Sequence, residues 1–416
     1  MLDVNRIRSH FPALSRTFNG KPLVYFDGPG GTQVPTECID AMVDYYHRCN
    51  ANTHGNFITS QESDAVIAAA HEYMADFVNA KSANEIVFGQ NMTSLTFAIS
   101  RSIGQTLQPG DEIILTLLDH AGNFSPWHLM AQDRGVKVNV IDINPEDCTL
   151  KMDDFEKYLS NRTKLIAVGC CSNAVGTFNP VKQIVGMAKA VGAMTYLDAV
   201  AFAPHAPIDV QDLDCDFLAC SAYKFFGPHQ GIMYGKYDIL DRLPAYKVRP
   251  ADARPPHKFE TGTQSIESEA GTMGALDYIS WIGKTYPPAK APTGKFRSER
   301  AATLHAGMTA TQEYEAELSK FMLDGLLSRK DLDFYGIREK ERVHQRAPTF
   351  AIRKHGESPE ATAKRLGEQG INVWNGNYYA LNLTERLGVE ETGGMVRIGF
   401  AHYNTKEEIQ RFLDVL

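Results

Sequence analysis

Lys224 stands in Asp216-Phe-Leu-Ala-Cys-Ser-Ala-Tyr-Lys224-Phe-Phe-Gly227-Pro228, an apolar run that breaks into small and polar residues around one amine. The run at 216–220 reads as a buried strand and Gly227-Pro228 closes the segment, so the amine lies at a strand's carboxyl end. Open α/β sheets hold their ligands there. Burial favours the uncharged amine, the form that makes a Schiff base with a carbonyl. Taken alone, Lys224 reads first as a snorkelling side chain. A second strand end shifts that balance: Gly192-Ala-Met-Thr-Tyr-Leu-Asp198 closes in a carboxylate. A lysine for the aldehyde and an acid for the pyridine nitrogen are what pyridoxal 5′-phosphate requires of a protein. Asp198 by itself fits a strand-end turn equally well; the pair points to the cofactor.

Five further stretches could serve it. Gly89-Gln-Asn-Met92-Thr93-Ser-Leu-Thr comes after a strand-like run and opens a helix. Backbone N–H groups near Met92 and the Thr93 hydroxyl can therefore meet a phosphate at the positive helix end, although threonine is also an ordinary cap. Leu118-Asp-His120-Ala-Gly-Asn-Phe-Ser-Pro-Trp127 sets a histidine just after a strand, able to stack on a ring and move protons, or simply to pack. Cys171-Ser-Asn173-Ala-Val-Gly-Thr puts an amide at another strand end, for a ring oxygen or substrate, or for a turn. Phe259-Glu-Thr-Gly-Thr263-Gln-Ser offers hydroxyls in a glycine-containing loop. Met395-Val-Arg397-Ile-Gly-Phe buries an arginine in a strand, where a substrate carboxylate would be its bidentate partner.

The elements that must position these groups alternate from about residue 20 to 250. Strand-like runs at 85–88, 112–115, 137–141, 165–168, 194–197 and 217–220 are separated by helical stretches such as 64–78 and 181–191. That is the pattern of a mostly parallel sheet covered on both faces. A short strand at 232–234 is placed as a possible edge, and Cys170, Cys171 and Cys220 as core packing. Tyr286-Pro-Pro-Ala-Lys-Ala-Pro-Thr-Gly294 breaks the alternation. The expected division is an N-terminal arm at 1–20, a large domain at 21–285 and a smaller α/β domain at 286–416. The latter has a helix near 296–327, strands at 349–352, 371–374 and 395–399, and a last helix from Lys406.

At 416 residues with a net charge of −8, the chain shows no basic face for nucleic acid, no apolar run long enough for a bilayer and no signal-peptide core at its start. Seven cysteines without a Cys-x-x-Cys pair suit reduced thiols better than a disulfide or zinc framework, so a cytoplasmic enzyme without a metal is expected.

From Val24-Tyr-Phe-Asp-Gly-Pro-Gly-Gly-Thr-Gln-Val-Pro35 to Tyr403-Asn-Thr405, these motifs in this order resemble the class V aminotransferase and cysteine desulfurase-like family of fold-type I pyridoxal-phosphate enzymes. The resemblance implies Lys224 as the Schiff-base lysine, Asp198 as pyridinium partner and His120 as the ring-stacking acid/base. It further implies Asn173 at the ring oxygen or substrate and Arg397 on the substrate carboxylate. The phosphate cup would be Thr93, Ser221 and Tyr223 beside Met92, with Thr263 reaching in from the other subunit of a homodimer. Ala201 departs from the family's glutamine or histidine near the ring oxygen.

A second departure bears on the reaction. Desulfurases of this family use a loop cysteine that keeps the substrate sulfur as a persulfide, and Ile371-Asn-Val-Trp374-Asn-Gly-Asn-Tyr378-Tyr379-Ala sets Tyr379 at that position and Trp374 at a nearby arginine's. A phenol cannot form a persulfide. The expected chemistry is deprotonation at Cα by Lys224, then β-elimination, desulfination or β-decarboxylation of a small L-amino acid, with Tyr379 near the substrate. Aminotransferase or epimerase activity is the alternative, ahead of a true cysteine desulfurase or a non-catalytic cofactor-binding protein.

Overall fold

The computed structural model describes residues 2–416. Seven strands build the central sheet: β1 Ile86–Gly89, β2 Glu112–Thr116, β3 Lys137–Ile141, β4 Thr163–Gly169, β5 Met194–Asp198, β6 Phe217–Ser221 and β7 Gly231–Gly235. Their order across the sheet is β1-β7-β6-β5-β4-β2-β3, with only β7 antiparallel to its neighbours. The sheet explains the unbroken apolar runs, because successive side chains point to opposite faces and both faces are covered. Phe217 and Ala219 of β6 enter one core, and Leu218 and Cys220 enter the other. β4 divides likewise, with Leu165 and Ala167 on one side and Ile166 and Val168 on the other.

β7 is a correction to the expected edge strand. It lies between β6 and β1 and pairs with both, so β1 is the edge. All five β7 residues are buried.

The C-terminal unit carries an antiparallel sheet of β8 Leu332–Tyr335, β9 Thr349–Lys354, β10 Trp374–Gly376 and β11 Met395–Gly399, in the order β8-β9-β11-β10. The long helix Glu299–Leu327 and the helices Pro359–Glu368 and Lys406–Val415 pack against it. The expected strand at 371–374 divides in two. Ile371–Asn372 pairs with Val24–Tyr25, while Trp374 begins β10. Through that pairing Val24 and Phe26 join the C-terminal core, and the loop carrying Pro29 is stitched to β11. Among the described residues, no helix is long and apolar enough to cross a membrane.

Candidate active site

β3 lies outside β2, and the chain then returns to place β4 on β2's other side, so the order reverses between β2 and β4. Side chains just beyond the carboxyl ends of β2, β4, β5 and β6 converge at this crevice. They line a cavity of about 1150 Å³ together with the start of the helix Met92–Gly104 and the loop after β10. Lys224, Asp198, His120, Met92, Thr93, Asn173, Ser221, Tyr223, Arg397 and Tyr379 all line it. Thr263 does not; it sits exposed on a loop elsewhere on the chain surface.

Lys224 ends a short helical turn directly after β6, and its Nζ donates to the Pro29 carbonyl. Burial and then the nearby Arg397 charge push its pKa down to about 7, opposed by Asp198 and Asp27. The amine is thus substantially uncharged near neutral pH. Asp198 moves the other way, up to about 6, because burial outweighs its bond from the Val200 N–H at 2.9 Å and the pull of Lys224. Phe226, two residues on, adopts φ 71 and is tied by its N–H to Thr32 Oγ1 at 2.9 Å, so the lysine turn is a tightly specified backbone.

The His120 turn is held from beneath by Asp119. That buried carboxylate accepts from Thr116 Oγ1 at 2.6 Å, from Asn123 Nδ2 at 3.0 Å and from the Gly169 N–H at 2.6 Å. It links the end of β2 to the end of β4. His120 Nδ1 accepts from the Gly122 N–H at 2.9 Å, so the neutral ring carries its proton on Nε2. Burial, then Lys224 and Arg397, lower its pKa to about 4, which keeps it neutral. Gly122 has a steric reason to be glycine: a Cβ there would meet Thr93 Oγ1 at 2.8 Å and His120 Nδ1 at 3.0 Å.

Arg397 reaches the cavity from β11, donating through Nη1 to the Asn173 carbonyl at 2.9 Å and lying 4.5 Å from the Tyr378 ring centroid. Its Nε and the Asn173 Oδ1 are buried without partners. Such orphaned groups cost free energy unless a ligand satisfies them. Asn173 Nδ2 is already engaged by the Tyr378 carbonyl at 2.9 Å, which leaves Oδ1 as its free atom. Ala201 lines the cavity and offers no donor there.

Tyr378 and Tyr379 both adopt left-handed backbone, φ 53 and 62, a conformation that L side chains adopt at a cost of about 1–2 kcal/mol per residue. The turn is held by the Tyr379 N–H to Asn377 Oδ1 at 3.1 Å and the Ala121 N–H to the Tyr379 carbonyl at 2.6 Å. The strained turn sets the exposed Tyr379 ring against His120, with centroids 5.5 Å apart and 29° between planes.

Several cavity residues were not singled out from the sequence. His229 stacks on Tyr223 at 5.1 Å. Glu390 lines the mouth and accepts from Asn377 Nδ2 at 2.9 Å. Asp27 has a buried, unpartnered Oδ1 and acts on the charges of Lys224 and Arg397. The Gly-Pro-Gly-Gly run after Asp27 was its one available signal, since such a backbone allows close approach. Cys171 is a correction: it lines the cavity instead of only filling the core.

Arg397, buried in the cavity wall with an unpartnered Nε, supplies a cation suited to an anionic group. The residues fit pyridoxal 5′-phosphate in kind: an amine for its aldehyde, a carboxylate for its ring nitrogen, and a helix start with hydroxyls for its phosphate.

Comparison with known proteins bears on that fit. The family model described as Aminotransferase class-V matches residues 24–290 and 298–412. A cysteine desulfurase of Pectobacterium atrosepticum is 33% identical over 425 residues, covering 99% of this chain and 96% of the relative. One of Serratia proteamaculans is 32% identical, with 99% and 96% covered. The solved apo structure of a cysteine desulfurase from Thermococcus onnurineus superposes with a TM-score of 0.87 at 26% identity, covering 100% of this chain and 97% of that one.

Proposed function

This chain belongs to the class-V aminotransferase family, whose members are pyridoxal-phosphate-dependent enzymes, and we propose that it is a lyase acting on a small L-amino acid. It releases a β-substituent by β-elimination, desulfination or β-decarboxylation, without passing sulfur to a cysteine of its own. When bound, the cofactor supplies an aldehyde for an amine and a protonated pyridine ring that accepts the electron pair left at Cα. Lys224 contributes the uncharged amine that takes the α-proton, and its pKa near 7 places it in the range where a base works best. Asp198 has one oxygen committed to Val200 and the other for the ring nitrogen. Arg397 and the Asn173 amide hold the substrate carboxylate and amino end. His120, neutral and protonated on Nε2, can donate a proton. Met92, Thr93, Ser221 and Tyr223 hold the phosphate, and Thr263 completes that cup from a second copy in a homodimer. The same proposal keeps a large domain at 21–285 and a smaller one at 286–416, in a cytoplasmic protein.

The absence of an available thiol carries the choice of reaction. All seven cysteines are buried. Cys171 alone lines the cavity, and its Sγ is turned to the Ser172 and Gly176 carbonyls at 3.5 and 3.6 Å. Burial raises its pKa well above the ordinary range, whereas a sulfur acceptor needs an accessible thiolate. Tyr379 occupies the cavity mouth instead. The test incubates the cofactor-loaded protein with a panel of amino acids while following sulfide, sulfite, carbon dioxide, keto acid, loss of chirality and protein-bound persulfide. Turnover without persulfide is expected. Alanine and sulfide from cysteine, with persulfide on the protein, would overturn the reading.

A further inference from the structure

Outside the cavity, three side chains from two separate parts of the chain turn their ligand atoms towards one another. His71 comes from the helix Ile58–Phe77, while His257 and Glu260 come from the segment before the helix Ile266–Thr285. One ligand atom of each lies within 4.8 Å of the others. Glu260 Oε1 is 2.8 Å from His71 Nε2, and Oε2 is 2.7 Å from His257 Nδ1. None of the three lines the cavity.

His71 Nδ1 lies 2.8 Å from the Ile67 carbonyl, which can only accept, so Nδ1 carries a proton. A neutral ring then presents a lone pair on Nε2 to a carboxylate oxygen 2.8 Å away. Two such groups need a positive species between them, either a second ring proton or a cation. A backbone carbonyl on the far nitrogen is also the arrangement that fixes the tautomer and orientation of a metal-binding histidine. His71 and Glu260 are buried, whereas the His257 side chain is 52% exposed, so water can complete a coordination shell. Two imidazoles and a carboxylate with an open position suit a borderline divalent cation.

Glu269 gives a second, geometric observation: it is fully buried, and both its carboxylate oxygens lack partners.

We propose that His71, His257 and Glu260 form a binding site for a divalent transition-metal cation of the zinc type. Glu260 also accepts from the Phe88 N–H at 2.9 Å, one residue before the Gly89 turn that leads to Thr93, and it precedes Thr263 by three positions. An ion there would tie the phosphate-facing turn to the Thr263 loop.

The experiment strips tag-free, cofactor-loaded protein with a chelator and adds Co²⁺, whose visible absorption reports its ligands, with dialysis against Zn²⁺ and elemental analysis in parallel. One ion per chain is expected. His257→Gln, at a half-exposed side chain, and His71→Gln should each weaken binding by about tenfold or more. Zn²⁺ should raise the thermal midpoint of the parent protein and not of the double variant. Absence of bound metal would mean that a proton alone fills the gap, and metal retained at the same stoichiometry by the double variant would place it elsewhere. Either result overturns the proposal.

Discussion

The cavity and the His71–Glu260–His257 cluster both hold buried ionisable groups, yet their charges end in opposite states. Glu260 lies 2.8 and 2.7 Å from two imidazole nitrogens and accepts from a backbone N–H, and these partners outweigh burial to lower its pKa to about 2. Lys224 and Asp198 have too few partners to offset burial, and each moves towards neutrality, to about 7 and about 6. The same low dielectric stabilises a charge that is fully partnered and titrates one that is not. The cluster keeps a negative charge between two imidazoles, where a cation can join it, and the cavity holds groups whose charge a ligand restores.

Substitutions can break this contrast, beginning where the effect is largest. Lys224→Met should abolish the absorption band of the lysine-bound cofactor and lower turnover by roughly 10⁴-fold, the upper range for losing an acid–base group. Spectra and steady-state assays on cofactor-supplied protein check it; a surviving band would remove Lys224 from its role. Asp198→Asn should retain the lysine and cost on the order of 10²–10³ in kcat, as loss of a placed electrostatic partner does.

Glu260→Gln should reduce stability by about 3 kcal/mol, because it leaves the buried His71 ring without its carboxylate partner. The sign with pH comes from the lowered pKa. Glu260 stabilises the fold fully above the unfolded value near 4.5, and that contribution is lost as pH falls from there towards about 2. Denaturant midpoints across that window should fall steeply for the parent and less for the variant.

Lys224 has the opposite linkage. Its folded pKa near 7 lies below the ordinary 10.5, so the folded state is penalised below pH 7 and recovers as pH rises towards 10.5. Cofactor-free Lys224→Met should accordingly be more stable than the parent by about 1–2 kcal/mol at neutral pH, a trade of stability against function. An equal or lower midpoint would show the lysine to be well accommodated. The smallest effect is expected at exposed Tyr379: removing its stack on His120 by Tyr379→Ala should change kcat/KM by a factor corresponding to about 1 kcal/mol and leave stability alone.

Much of the cavity was legible because strand ends are marked in a buried sheet. Apolar runs that stop at Asp198, at Ser221 before Lys224, and shortly before His120 locate the carboxyl edge without knowledge of strand order. β7 and the run at 371–374 were misread for a related reason: a short apolar segment carries its period but no record of its partner. Cys171 reads as core because an apolar strand leads into it, and its place in the lining of the same cavity as Tyr379 is set by tertiary structure. Asp27 lay too far from every other motif to be joined to Lys224 by spacing.

Local chemistry along the chain determined the alternating core, the amine and acid at neighbouring strand ends, the helix start at Thr93, and the absence of a cysteine at Tyr379, because each depends on residues within a few positions of one another. Tertiary structure alone decided the strand order, the strained turn that sets Tyr379 on His120, the unpartnered atoms of Arg397 and Asn173, and the meeting of His71 with His257 and Glu260. These depend on distances between segments up to some hundreds of residues apart in the chain, and a pKa or a ligand set is a property of that proximity and not of residue type.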